Sequence, residues 1–283
     1  MRCPKPITLK DPNRIKSSRA LQVPCGYCGA CRANKRAMWS FRIKEEAKVS
    51  SSCYFITLTY APEYLPIITL LDPETGHIIK EYPTLWKKDL QNFWKAIRKY
   101  GKLRYYAVGE YGSNTKRPHY HAMIFNANQK HLDKLQQVWG KGNVHVHPQS
   151  DATIHYTTKY HVNFDKSIRY PAKKEFASMS LKPAIGSHYI SKNAKFHTDN
   201  EYLYVINNGF KQPIPRYYKE KLFTPEKLDQ LRDQTYIQVD KDFDKEYNRL
   251  IQLHVDDPIN YIKQSLQIES DKVKDKARSQ DKL

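Results

Sequence analysis

Two apolar runs, LRYYAVGEY at 103–111 and HYHAMIF at 119–125, flank the short polar loop GSNTKRP. Their aromatic and β-branched content reads as strand, and so short a connection suits an antiparallel pair. A strand pair this apolar must bury a face, so this stretch constrains the fold more than any other. Side chains alternate along a strand, so His119 and His121 project to one face and Tyr120 to the other. If 103–111 pairs with 118–126, Glu110 falls across from the two histidines. One carboxylate and two neutral imidazoles then face one point. That donor set suits a divalent cation such as Mg2+ or Mn2+, with positions left open for a phosphate. The competing reading is a pair of half-buried histidines with no ligand. His145 and His147, in NVHVHP, have the same spacing but no carboxylate placed to complete a site.

The flanking segments predict the rest of the domain. CYFITLTY at 53–60 reads as a strand ended by Pro62, and the stretch holding Pro66, Pro73 and Gly76 as a loop. Residues 32–49 read as a helix, with Ala37, Phe41 and Ala47 at helical spacing. Thr84 is placed to cap a second helix, on which Leu90, Phe93, Trp94 and Ile97 share a face. Residues 129–140 read as an amphipathic helix, 143–147 as a short strand, and DATIHYTTKYHVN as a helix opened by Ser150. The order strand, helix, strand, strand, helix, strand, helix predicts an α+β fold. Its antiparallel sheet would be split-βαβ in topology and covered by helices. Beyond residue 165 the pattern is less regular. Asn208-Gly209 marks a hairpin turn, the chain is helical and charged from Thr224, and 269–283 reads as a loose tail.

Lys and Arg number 48 against 29 acidic residues, a formal net charge of +19. An excess of this size points to a polyanion, and the absence of any run of about 18 apolar residues favours nucleic acid over a membrane. The N-terminus lacks the apolar core of a signal peptide, so a cytosolic protein is expected. The 21 tyrosines among basic residues suit single-stranded nucleic acid, whose bases stack on rings while phosphates meet Lys and Arg. Tyr156 and Tyr160 are four apart on one helical face, and Lys159 is three from Tyr156. A tyrosine hydroxyl, of ordinary pKa about 10, needs help to act as a nucleophile. A nearby ammonium and a polarised phosphate would supply it. The plainer reading is two tyrosines used for packing. Tyr189 and Lys192 repeat the spacing and stand as a rival pair.

Four of the five cysteines lie near the N-terminus: Cys3, Cys25, Cys28 and Cys31. A cytosolic chain seldom forms structural disulfides, so the cluster suggests metal. A structural zinc ion needs four ligands in a tetrahedron, with Cys3 folding back as the fourth. An iron–sulfur cluster and a set of reduced thiols are the alternatives. Cys53, alone in an apolar run, reads as core.

FITLTY, RPHYHAMIF and YTTKY occur in the order and spacing of the three motifs of HUH endonucleases, the rolling-circle replication initiators of plasmids and single-stranded DNA phages. PCGYCGACR, FITLTYAPEYLP, VGEYGSNTKRPHYHAMIF, MSLKPAIG and PIPRYY resemble more particularly the initiators of gokushovirus-type microviruses. The resemblance spans about residues 20–218. It implies an HUH endonuclease core at 51–165, after a Cys-rich segment and helix at 1–50. An accessory region with a hairpin at 166–223 and a charged helical extension at 224–283 would follow. It also implies that His119, His121 and Glu110 hold the metal, that Tyr156 is the nucleophile and that Lys159 accompanies it. Tyr160 matches a second tyrosine of some relatives, although Asn163 stands where their following lysine would be. The implied activity is nicking and rejoining of single-stranded viral origin DNA in the host cytoplasm, with host helicase and polymerase as partners. No G-x-x-x-x-G-K-[ST] loop is present for a helicase of its own. A transposase or relaxase of the same superfamily, and a non-catalytic single-stranded DNA binder, remain the other readings.

Overall fold

A computed structural model describes residues 2–9, 21–112, 114–159, 172–207 and 209–279. In chain order its elements are β1 (Ile7–Leu9), β2 (Leu21–Val23), α1 (Gly29–Val49), β3 (Cys53–Thr59), β4 (Ile67–Leu71), β5 (Ile78–Pro83) and α2 (Lys87–Ile97). Then come β6 (Arg104–Tyr111), β7 (Pro118–Phe125), α3 (Gln129–Trp139), β8 (Val144–Pro148), α4 (Asp151–Lys159), β9 (Phe176–Met179) and α5 (His188–Asn200). The last are β10 (Tyr204–Asn207), β11 (Phe210–Pro213), α6 (Arg216–Leu222), α7 (Pro225–Gln252) and α8 (Pro258–Ser279). The fold is α+β with antiparallel sheets. Two compact units form, Ser40–His188 and Met1–Trp39 with Tyr189–Leu283.

The unit Ser40–His188 is built on a five-stranded sheet of order β8-β3-β7-β6-β9, every neighbouring pair antiparallel. β7 lies between β3 and β6, and β3 lies between β7 and β8. The alternating pattern gives each face its own layer of helix. Ile56, Leu58, Tyr105, Ala107, Tyr120, Ala122 and Ile124 face Leu90, Phe93, Trp94 and Ile97 of α2 and Leu135 and Trp139 of α3. Trp94 stacks on Tyr105 at 4.0 Å between ring centroids, and Trp139 Nε1 donates to Thr59 O at 2.8 Å. The opposite face meets α4 and the Ser40–Val49 part of α1. There Glu46 pairs with Arg104 and also accepts from Gly186 N, while Ser40 Oγ meets Thr158 Oγ1 at 2.9 Å.

Local chemistry sets the helix ends. Asn128 Oδ1 accepts from His131 N and His131 Nδ1 accepts from Asn128 N, a capping box that starts α3. Gly140 ends it in the left-handed region at φ 58°. Ser150 Oγ accepts from Thr153 N at the start of α4, as its position predicts. Thr84 does not cap α2. Its hydroxyl is buried and accepts from Lys173 N, and the residue preceding α2, Trp86, makes no side-chain cap.

Two further readings need correction, and one helix was not foreseen. The Pro66–Gly76 stretch is not simply a loop, because β4 and β5 pair as an antiparallel hairpin. Asp72 Oδ1 accepts from Glu74 N and Thr75 N and so closes its turn. The helix α5 was not legible, since it buries only Tyr189 and His197 and so shows little periodic stripe. Residues 269–279 are helical, not a loose tail: Ser270 is fully buried, and its Oγ accepts from Ala30 N at 3.3 Å.

The second unit pairs β1 with β2 and β10 with β11, and buries Tyr189, Val205, Ile214, Tyr218, Phe223, Leu231 and Leu250. The predicted Asn208-Gly209 turn joins the second pair, and Asn208 itself lies outside the described residues. Thr224 Oγ1 accepts from Lys227 N and opens α7.

The sheet core carries the stability of the Ser40–His188 unit. Ile124→Ala should lower its unfolding free energy by about 2–5 kcal/mol, whereas exposed Ile79→Ala should change it by less than about 0.5 kcal/mol. Urea denaturation followed by tryptophan fluorescence measures both.

Candidate active site

The pairing of β6 with β7 sets Glu110 directly opposite His119, and β3 sets Thr57 opposite His121. Directly opposed residues share a face, so Glu110, His119, His121 and Thr57 all lie on the α4 side of the sheet. Tyr120, between the histidines, is fully buried on the other side. His119 Nε2 lies 2.6 Å and His121 Nε2 lies 2.9 Å from the same atom, Glu110 Oε1. The three donor atoms fall within 4.8 Å of one another.

The outer nitrogens of both rings are engaged. His119 Nδ1 is 3.1 Å from Arg117 O, which can only accept, so Nδ1 donates there and the ring is fixed with Nε2 facing the carboxylate. His121 Nδ1 is 2.9 Å from Thr57 Oγ1. Phe55 stacks on the His121 ring at 5.3 Å between centroids and 12° between planes. Both rings are thereby held with Nε2 turned to one point, the way partners of ligating histidines fix their orientation.

Burial and hydrogen bonding act against each other within the group. Burial pushes the Glu110 carboxyl up, but the hydrogen bonds from His119 and His121 outweigh it and hold the group below the ordinary carboxylate range. Burial pulls His119 down, and its bond to Glu110 more than offsets this, so it sits above an ordinary imidazole. Burial wins at His121, which sits below. Glu110 is 3 % exposed, and its second oxygen, Oε2, is buried with no hydrogen-bond partner among the described residues. A buried carboxylate oxygen left unpaired is costly. Two imidazoles, one carboxylate and this orphaned oxygen fit a divalent cation.

Tyr156 stands on α4 edge-on to the same group. Its ring centroid is 4.9 Å from that of His121, with the planes at 88°, and 5.9 Å from that of Phe55. It is 37 % exposed. Lys159, one turn on, places Nζ 3.9 Å from the Tyr156 ring centroid, and its charge also reaches His121. The structure therefore brings Glu110, His119, His121, Tyr156 and Lys159 together. Tyr160 lies outside the described residues. The rival Tyr189 belongs to the other unit, where it is buried, stacked on Tyr218 and hydrogen-bonded to His197 Nε2 at 2.8 Å. Cys3, Cys25, Cys28 and Cys31 form a second, separate cluster.

Sequence reasoning passed over Thr57 and Phe55. Both were legible in FITLTY, where strand alternation puts Phe55, Thr57 and Thr59 on one face. His145 and His147 lie opposite Thr57 and Phe55 on the edge strand β8, exposed and outside the three-residue group.

Comparison with known proteins follows this geometry. Residues 53–165, which carry the whole group from β3 to α4, match the family model of the replication-associated protein ORF2. The chain is 26 % identical over 228 residues to the replication-associated protein ORF2 of Spiroplasma virus 4, an alignment covering 71 % of this chain and 67 % of that protein. It is 28 % identical over 226 residues to the replication-associated protein VP4 of Bdellovibrio phage phiMH2K, covering 72 % and 69 %. Identity to the replication-associated protein ORF4 of Chlamydia phage 1 is 23 % over 254 residues, covering 80 % of this chain and 57 % of that one. No solved structure matches the chain. The chain is thus a relative of phage replication-associated proteins, in agreement with the resemblance carried by its motifs.

If the group seats a cation, the Thr57 hydroxyl orients a ligand. Thr57→Val should weaken Mn2+ affinity by about 10–100-fold while leaving the far-UV circular dichroism unchanged, as titration calorimetry on the full chain would measure.

Proposed function

We propose that the chain is a metal-dependent endonuclease that nicks and rejoins single-stranded DNA at a viral origin and so starts rolling-circle replication. The observation that carries this reading is the convergence of two His Nε2 atoms and one carboxylate beside a half-exposed tyrosine and a lysine. The strand order β8-β3-β7-β6 also supports it, because β3–α2–β6 and β7–α3–β8 interleave as the split βαβ units of an HUH core would. The similarity to phage replication-associated proteins supports a role at the start of replication.

Glu110, His119 and His121 would hold Mg2+ or Mn2+, which supplies a Lewis acid for a non-bridging phosphate oxygen. The chain's own residues do the rest. The basic surface, with a net charge of +19, draws in the phosphodiester backbone. Tyr156 Oη attacks phosphorus, and the P–O3′ bond breaks as the Oη–P bond forms. The phenol loses its proton to solvent and the leaving 3′-oxygen gains one, so atoms and charge balance. The Lys159 ammonium stabilises the negative charge that gathers on the phenolic oxygen and the phosphoryl group. The 5′-phosphotyrosyl bond conserves the phosphodiester's energy. A 3′-hydroxyl can therefore reverse the step and rejoin the strand without ATP. The free 3′-hydroxyl made by nicking suits extension by a host polymerase, with a host helicase opening the duplex. No helix among the described residues is long and apolar enough to cross a membrane. The host cytoplasm is the compartment this role requires.

Incubation of the full chain with single-stranded origin DNA and Mn2+ should yield nicked DNA joined to protein on a denaturing gel. Tyr156→Phe, which keeps the ring and loses the nucleophile, should abolish the adduct. The double variant His119→Ala/His121→Ala should abolish nicking yet keep most of the salt-sensitive DNA affinity, because phosphate contacts supply it. An adduct that survives Tyr156→Phe and disappears in Tyr160→Phe would contradict the assignment.

A further inference from the structure

The four N-terminal cysteines sit in the unit Met1–Trp39 with Tyr189–Leu283 and take no part in the proposed nicking chemistry. The antiparallel pairing of β1 with β2, register Ile7↔Val23, turns the N-terminal segment back and brings Cys3 to Cys25. Cys28 Sγ is 3.8 Å from Cys3 Sγ, and Cys25 Sγ is 3.9 Å from Cys31 Sγ. All four sulfurs lie within 4.8 Å of one another. A disulfide would need a separation of about 2 Å. A tetrahedron with metal–sulfur bonds of about 2.3 Å has edges of about 3.8 Å, which the Cys3–Cys28 and Cys25–Cys31 separations match. A cluster of several irons puts its thiolates on separate metal atoms and hence farther apart than ligands of one ion.

Backbone N–H groups converge on three of the sulfurs. Cys25 N donates to Cys3 Sγ, Cys28 N to Cys25 Sγ and Cys31 N to Cys28 Sγ, each at 3.4 Å. Three of the four cysteines are buried. Charge-assisted bonds to sulfur stabilise the anion, but buried anions packed this closely repel one another unless a cation lies among them.

The cluster also lies beneath a distant part of the chain. A Cβ added at Gly29, between Cys28 and Cys31, would meet Ser270 O at 1.9 Å, so only glycine lets the backbone of α8 come this close. Ala30 N donates to Ser270 Oγ from the same turn. We propose that Cys3, Cys25, Cys28 and Cys31 bind one structural zinc ion, and that this ion fixes the turn on which the C-terminal helix α8 docks. Binding displaces the thiol protons, so four thiols become four thiolates around Zn2+ with no change of oxidation state.

The test uses the full chain purified under reducing conditions. Elemental mass spectrometry should find one zinc per chain. The zinc should persist in His119→Ala/His121→Ala and fall by at least tenfold in Cys25→Ser/Cys28→Ser. Should the cysteine variant fail to fold, cobalt exchanged into the native chain gives a second reading: the absorption of a tetrahedral thiolate site, with strong sulfur-to-cobalt charge transfer. In the native chain the four clustered thiols should not react, and Cys53, whose thiol burial pushes up to about 12, should react slowly; all five should react once a chelator is added in denaturant. Chelation alone should speed proteolysis at 253–257, ahead of α8. Natively folded chain with less than about a tenth of an equivalent of zinc and all thiols reactive would overturn the proposal. So would stoichiometric iron in place of zinc, or zinc that leaves with the two histidines.

Discussion

The register between β6 and β7 is the constraint on which the rest of the site depends. It sets Glu110 across from His119 on a face that helices cover, so one carboxylate and two imidazoles are taken out of water together. A shift of one residue would turn all of these side chains to the opposite face, among Trp94, Trp139 and the rest of that core. The core residues alternating with the site residues prevent that shift. Tyr120, Ala122 and Ile124 are almost wholly buried on one side while His119, His121 and Met123 serve the other. The apolar packing thus holds the polar group in place, and the polar group adds no apolar area of its own.

The same register makes the cluster electrostatically incomplete. His119 and His121 both turn Nε2 to one oxygen of Glu110 and leave the other oxygen buried and unpaired. The opposite shifts of the two histidines have one origin. Burial depresses both, but the closer contact and the Arg117 carbonyl raise His119, whereas His119 and Lys159 both act against a charge on His121. A divalent cation seated among these atoms would satisfy the carboxylate. Tyr156 and Tyr189 show why residue pattern alone left two tyrosines in play. Each has a lysine three residues on, yet Tyr189 is locked in a buried hydrogen bond while Tyr156 stands half-exposed against His121.

Much of this was legible in the residues. Period-two alternation in LRYYAVGEY and PHYHAMIF is a strong signal because both strands are buried on both faces and cannot slip. The Ser150 start of α4 was readable as local chemistry, whereas the capping box of α3 uses His131 in place of the usual Glu or Gln and was not. What escaped the sequence had weak periodicity or depended on long-range contacts. The β4–β5 hairpin is largely exposed and needs no apolar stripe. The stretch 269–279 looked like a tail because its charged residues hide the buried Ser270, whose partners lie at Gly29 and Ala30. Thr84 looked like a helix cap, but a strand-end carbonyl pattern is not visible in one residue type, and its hydroxyl serves Lys173 instead. Strand alternation shows the face on which Thr57 lies, but its contact with His121 Nδ1 depends on the pairing of β3 with β7.

The central claim is that the tyrosine beside the Glu110–His119–His121 group is the residue that joins DNA. Tryptic digestion separates the two neighbouring tyrosines, since residues 142–159 contain Tyr156 alone and 160–166 contain Tyr160 alone. Mass spectrometry of the protein–DNA adduct, after nuclease trimming, should find the nucleotide mass on 142–159 and map it to Tyr156. A nucleotide on 160–166, or on the peptide carrying Tyr189, would contradict the account.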